Sequence, residues 1–262
     1  MLRYLRLLGT QLRLSLTLAA QYRTDFFLDG LMSWFWLGFN LVPLLAVFAH
    51  NERIAGWSFA EALIVMGFFA VLEGLLESAI NPSLRSVVEQ IRNGTLDFVL
   101  LRPADSQFLI ATVRFDFWRM LEVPGGLLVI AYALHRLGHL PSIAQVLISL
   151  GLLLSAIVFL YSLWFMVVSA AFWVIRVDNL TSLFTSVFDA ARWPVHIFRG
   201  AFRVLFTFVI PLGLMTTAPS EALLGRLAPS TVWISLGGSL LFALFSRLVW
   251  NRALAQYTSA SS

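Results

Sequence analysis

Polar residues enter this chain in two ways. They form a regular stripe over its first helix-length, and after that they appear as short interruptions between long apolar runs. Arg3, Arg6, Thr10, Arg13 and Thr17 fall at spacings of 3, 4, 3 and 4, which is one face of a helix, and leucines occupy most of the other positions. The pattern predicts an amphipathic helix over residues 1–24 that lies on a membrane surface with its arginines toward anionic headgroups. The same arginines break the leucine run, so a cleavable signal peptide is not expected.

The apolar runs that follow predict membrane-spanning helices at about 26–49, 59–80, 118–137, 143–175 and 231–250. Asp29, Asn40 and Pro43 interrupt the first, and Glu61, Glu73 and Glu77 lie in the second. Residues 179–218 are also apolar but contain Pro194, Gly200, Pro211 and Gly213. As one helix they would reach about 60 Å, twice the hydrocarbon thickness. The segment is therefore two spans, or one span followed by a re-entrant hairpin. Irregular backbone at membrane depth requires burial in protein or a cavity. We expect a fifth span up to Pro194, a hairpin over 195–218 broken at Pro211, and a sixth span at the end.

Charge separates these alternatives. With six spans and a cytoplasmic amino terminus, only Arg53, Arg136, Arg192, Arg199, Arg203 and Arg226 fall outside, and the remaining 12 of 18 arginines are inside. A seventh span would move Arg247 and Arg252 outside. The expectation is an all-α polytopic membrane protein with six transmembrane helices and both termini cytoplasmic. Composition agrees, at 59% hydrophobic and 12% charged residues, whereas soluble domains are about 25% charged. A nucleic-acid-binding domain is excluded on the same ground. The chain has no cysteine and no lysine, so thiolate metal sites and a phosphate-binding loop ending in Lys-Ser/Thr are excluded.

Candidate chemistry is sparse. His135 and His139 are spaced i, i+4 but have no carboxylate beside them, so neither a metal site nor a catalytic centre is expected. Glu73 and Glu77 share a helix face within a span, where acids line a pathway or pair with a cation such as Arg85 or Arg114. Arg192, His196, Arg199 and Arg203 are spaced 4, 3, 4, which on one helix would form a basic stripe. That stripe would either attract an anionic substrate or reach the outer interface.

The polar stretch 81–107 carries the most information. Residues 83–92 pattern as a helix with Arg85, Glu89 and Arg92 on one side. Asn93-Gly94 is a helix stop. Thr95 is placed to cap a second short helix that Pro103 ends, and Asp105-Ser106 starts the next. A connector would need far fewer residues, so this arrangement predicts a docking surface. The segment running from Ser86-Val-Val-Glu through Gly94-Thr-Leu-Asp to Leu101-Arg-Pro103 resembles the cytoplasmic loop of ABC-2 type transporter permeases, through Glu89, Arg92, Gly94, Thr95, Leu96, Asp97, Leu100, Leu101 and Pro103. Residues 191–200 with Phe208-Val-Ile-Pro211 look like one subfamily.

The resemblance implies the membrane subunit of a bacterial ABC exporter in the cytoplasmic membrane. It would pair with a second permease and dock a separate ATPase through Arg85, Glu89, Arg92, Gly94, Thr95, Asp97, Arg102 and Pro103. ATP and Mg would be bound on that partner and no cofactor on this chain. Glu73, Glu77, Arg192, Arg199, Arg203 and Pro211 would line the path or gate. The alternative is a channel or scaffold subunit that works without an ATPase.

Overall fold

A computed structural model describes residues 2–21, 23–173 and 177–257. Arg176, the carboxy-terminal tail from 258 and the ends of the expected 1–24 helix at Met1 and Tyr22 lie outside them. Helix α1 (Leu2–Gln21) precedes α2 (Arg23–Phe48). A small antiparallel ribbon, β1 (Arg53–Ile54) with β2 (Trp57–Ser58), then turns the chain. Ala55 and Gly56, at φ 50° and 84°, close that ribbon, the left-handed pair that a two-residue hairpin needs.

Five helical stretches are long and apolar enough to cross a membrane: Gly30–Phe48, Phe59–Arg92, Arg119–Leu137, Ile143–Phe172 and Pro229–Ala255. A bent pair, Ala201–Val209 and Gly213–Leu223, joins at 68° and makes a sixth if counted as one. The chain is an all-α polytopic membrane protein.

The second span differs from the expectation that it ends at Ile80. α3 (Phe59–Leu75) continues through a π-helical turn, Leu76–Ile80, into α4 (Asn81–Arg92), giving 34 helical residues, or about 50 Å. Pro82 ought to break this helix, because it lacks the N–H owed to the carbonyl of Ser78. The chain supplies a substitute, since the Asp116 N–H donates to that carbonyl at 2.7 Å. Ser83 adds a second tie, its hydroxyl donating to the Arg114 carbonyl and accepting from the Arg114 N–H.

The start of α3 is fixed by a capping box. The Ser58 hydroxyl accepts from the Glu61 N–H and the Glu61 carboxylate accepts from the Ser58 N–H. Ser142 and Gln145 repeat the device at the start of α8 (Ile143–Ser169). α3 is the centre of the molecule, with Ile64, Val65, Phe69 and Leu72 fully buried.

α7 (Glu122–Leu137) packs against α3 at glycine. A Cβ on Gly67 would lie 2.5 Å from Ile130, and one on Gly126 would lie 2.6 Å from the Gly67 carbonyl. Small residues let membrane helices approach this closely. α8 meets α12 (Pro229–Ala255) through the Ser155 hydroxyl, which donates to the Ser235 carbonyl at 2.7 Å.

The expected fifth span is short. α9 (Val177–Phe188) and a 3₁₀ turn to Arg192 end at Pro194, and α9 alone reaches only about 18 Å. The bent pair follows. It runs through α10 (Ala201–Val204) and a π turn, breaks at Ile210–Leu212, and continues through a second π turn into α11 (Ala218–Leu223). Pro211 provides the break, at the position expected.

Candidate docking loop and membrane-depth polar sites

Two ends of the bundle can be distinguished from contacts alone. The loop end holds residues 93–118, and the turn end holds the ribbon and the 138–142 turn. At the loop end, α4 stops at Asn93. Gly94 takes φ +66°, and the Thr95 N–H reaches back to the Gln90 carbonyl while the Gly94 N–H reaches Ile91, the two bonds of a Schellman stop. Thr95 does not cap the next helix. α5 (Asp97–Leu100) begins one residue later, so that Leu96, which has no side-chain acceptor, takes the cap position. Asp105 does cap α6 (Ser106–Ala111), accepting from the Phe108 N–H at 3.0 Å.

The loop is tied to elements far away in sequence. Arg247 of α12 donates through Nη1 to Asp105 Oδ1 at 3.0 Å and to Gln107 at 2.9 Å, and its Nη2 pairs with Asp105 Oδ2. Trp250 donates to the Ser106 hydroxyl at 3.2 Å. The Arg247 hydrogen bond holds the Asp105 carboxyl below its ordinary value. Burial pushes the Tyr257 phenol up, and the Asp97 carboxylate beside it adds to this. From the other side, Arg3 donates to the Pro103 carbonyl, the Asp105 N–H donates to the Tyr4 hydroxyl, and Tyr4 meets Phe108 edge-on. The outcome is a fixed platform on which α5 presents Phe98 and Leu101, 68% and 80% exposed.

The sequence-derived docking residues divide into two groups here. Gly94, Thr95, Asp97, Arg102 and Pro103 belong to the platform. Arg85 and Glu89 instead line a cleft of about 990 Å³ between α1, α4 and residues 113–119, which Asp116 and Arg119 also enter. Arg92 faces a smaller cleft with Ser182 and Thr185.

Further along α3, Glu73 and Glu77 are not paired with Arg85 or Arg114. Asn40 of α2 donates to Glu73 at 3.4 Å, and Asn81 donates to Glu77 at 2.6 Å. Arg192 reaches the same Asn40 at 3.5 Å, pairs with Asp189 at 2.8 Å and lies over the Phe69 ring at 5.2 Å. Glu122, 5% exposed and bound to Arg119 at 3.1 Å, packs beside Gly74 on the same level. Glu73 and Arg192 are thus brought together through Asn40, a polar interruption visible in the first span. Glu122 was not singled out from the sequence, because it reads as the flank of a span. Among the described residues no three of His, Asp and Glu converge as metal ligands.

The basic stripe does not form. Its spacing presumes one continuous helix, whereas the backbone is extended at Trp193 and Phe198 and Gly200 takes φ +57°. Arg192 turns inward, Arg199 and Arg203 are exposed, and Pro211 is buried. His196 goes to the turn end, stacked on Trp57 and 3.8 Å from Glu221. Arg226 also lies there, 3.9 Å from the Trp57 ring and 2.9 Å from Glu61. His139 accompanies them, its Nε2 lying 3.1 Å from the Leu223 carbonyl. Both arms of the bent segment therefore come back to one end of the bundle.

A family model described as ABC-2 family transporter protein matches residues 34–261. No curated protein and no solved structure matches the chain. With that match over most of its length and the multi-pass helical fold described above, the chain belongs to the ABC-2 transporter family, as a membrane permease component of an ABC transporter.

Proposed function

We propose that this permease is the membrane half of an ATP-driven bacterial exporter, and that it docks a separate ATPase on the α5 platform. ATP and Mg would be bound on that partner, and a second permease would complete the translocation path. The carrying observation is the pair Phe98 and Leu101. They stand exposed on a short helix that a Schellman stop, the Asp105–Arg247 tie and α1 hold in place beyond the second span. Exposed apolar groups on a rigid polar rim suit a protein partner. Gly94, Thr95, Asp97, Arg102 and Pro103 shape that rim, and Arg85, Glu89 and Arg92 lie one step behind it on α4. The first helix keeps Leu5, Leu14, Leu16 and Leu18 exposed, as an interfacial helix in the cytoplasmic leaflet would. Both termini are then cytoplasmic.

In this reading the bent pair is a re-entrant hairpin closing the outer end of the path. Arg199 and Arg203 face water or headgroups there, Pro211 acts as the hinge, and Glu73, Glu77 and Arg192 line the depth below. The test uses the natural absence of cysteine. Phe98→Cys and Leu101→Cys should cross-link to the copurifying ATPase, and Leu101→Asp should release it while insertion into the membrane stays normal. If no ATPase copurifies with the wild type, the ATPase-independent channel or scaffold takes the place of this reading. If Leu101→Asp and Phe98→Asp both retain the ATPase in full, docking is elsewhere.

A further inference from the structure

α2 and α7 touch near the loop end and part toward the turn end. The contact is close: a Cβ on Gly125 would lie 2.5 Å from Leu37, and, just before α7 begins, one on Gly30 would lie 3.1 Å from Trp118. Beyond it a groove of about 460 Å³ opens, a size within the ~300–1,000 Å³ of ligand sites. Its walls include Trp34, Leu41 and Leu128, and Phe59 and Leu63 of α3 form its floor. The groove's charged and phenolic groups, Arg136 and Tyr132, line its turn end.

Three features identify the occupant. The first is length. From Gly125 to Arg136 the groove follows twelve residues of α7, about 16 Å from first to last, which is half of the ~30 Å hydrocarbon core and therefore the depth of one leaflet. The second is charge. Arg136 lies at the last turn of α7, over the Phe59 ring at 5.4 Å, and among the described residues no carboxylate comes within 4 Å of it. A guanidinium stacked on a ring keeps its N–H edge available for two oxygens of a phosphate. The third is vacant space. A Cβ on Gly38, within the groove, would meet nothing within 4 Å.

We propose that this groove binds one acyl chain of an anionic phospholipid, with the lipid phosphate on Arg136. The chain fills the space that α2 and α7 leave between them and braces α2, which is otherwise lightly packed on its outer face. The site does not involve the ATPase, so it stands or falls separately from the docking reading.

The experiment compares the purified permease in nanodiscs of phosphatidylcholine and of phosphatidylglycerol with identical acyl chains. Retained lipid is counted by native mass spectrometry. The wild type should retain phosphatidylglycerol in preference to phosphatidylcholine. Arg136→Gln should lose that preference while still retaining a lipid. Gly38→Phe, which puts a ring into the groove from a position where a Cβ has open space, should lose retention of both, with Gly38→Ala as the folding control. Equal retention of the two lipids by the wild type would overturn the proposal, as would unchanged retention by Gly38→Phe. Competition by glycerophosphate would also overturn it, by assigning Arg136 to a free phosphate. A dimer that Gly38→Phe dissociates would show that a second copy covers the groove.

Discussion

The loop 93–118 and the bent segment 193–226 are the two longest irregular stretches among the described residues, and opposite means hold them in place. Side chains sent from other elements pin the loop. Arg247 grips Asp105, Ser83 grips Arg114, Tyr4 accepts from the Asp105 N–H, and the Ser15 hydroxyl accepts from the Phe115 N–H. Fit holds the bent segment. Gly213 lies against Val195 with 3.0 Å left for a Cβ, Met215 is fully buried, and the Thr216 hydroxyl donates to the Ala191 carbonyl at 2.8 Å. A pinned element can be released by breaking one tie while its neighbours stay packed. A fitted element shifts only if the packing opens with it. The difference suits a loop that receives a partner's motion and a segment that stays closed until driven.

Graded substitutions test the contrast. Gly213→Leu should have the largest effect, since its side chain has no room beside Val195. We expect a loss of about 3 kcal/mol, seen as a lowered thermal transition in detergent. An unchanged transition would mean that the segment is loosely seated. Thr216→Val removes the donor to a buried carbonyl and should cost about 1–2 kcal/mol. A value near zero would show that Ala191 finds another partner.

Arg247→Ala should barely move global stability, by about 1 kcal/mol or less, because this pair is half exposed. It should nonetheless broaden the distance between spin labels at Leu101→Cys and Asn251→Cys, and Asp105→Arg with Arg247→Asp should narrow it again. A distribution as sharp as in the parent would refute the pinning. Acid should act most weakly. Arg247 keeps the Asp105 carboxyl below its ordinary value, about 3.9 in model peptides. The tie's stabilisation is thus fully present above that ordinary value and is lost as pH falls through the lower, folded-state one. The same label distance should stay constant from neutral pH to about pH 4 and broaden only below. Broadening near neutral pH would contradict it.

What the sequence disclosed follows this contrast too. Local signals were legible: the Asn93-Gly94 stop, the Asp105 start, the break at Pro211, the apolar runs. Each is decided within a few residues by backbone conformation or hydrophobic period. The ties were not legible, because Arg247 and Asp105 are 142 residues apart and spacing does not encode such a pair. The basic stripe misled for a related reason. A 4, 3, 4 spacing assigns a face only if the helix is unbroken, and Pro194 and Gly200 break it. The span end expected at Ile80 misled in the opposite sense, because the helix runs on through Pro82, where a distant N–H takes up the Ser78 carbonyl that the proline leaves open.

That repair has a mechanical consequence. The Asp116 N–H is joined to Ser78 at about three-fifths of the length of a 50 Å rod, and the joint lies where the rod leaves the apolar bundle. It places a fulcrum there. The shorter arm runs some 21 Å to Arg92 and the longer some 28 Å to Phe59. Were the helix to pivot there as one body, a sideways push of about 3 Å at the loop end would become about 4 Å in the opposite direction at the turn end. Phe59 is next to the ribbon there, and Glu61 grips Arg226 at the end of the bent segment.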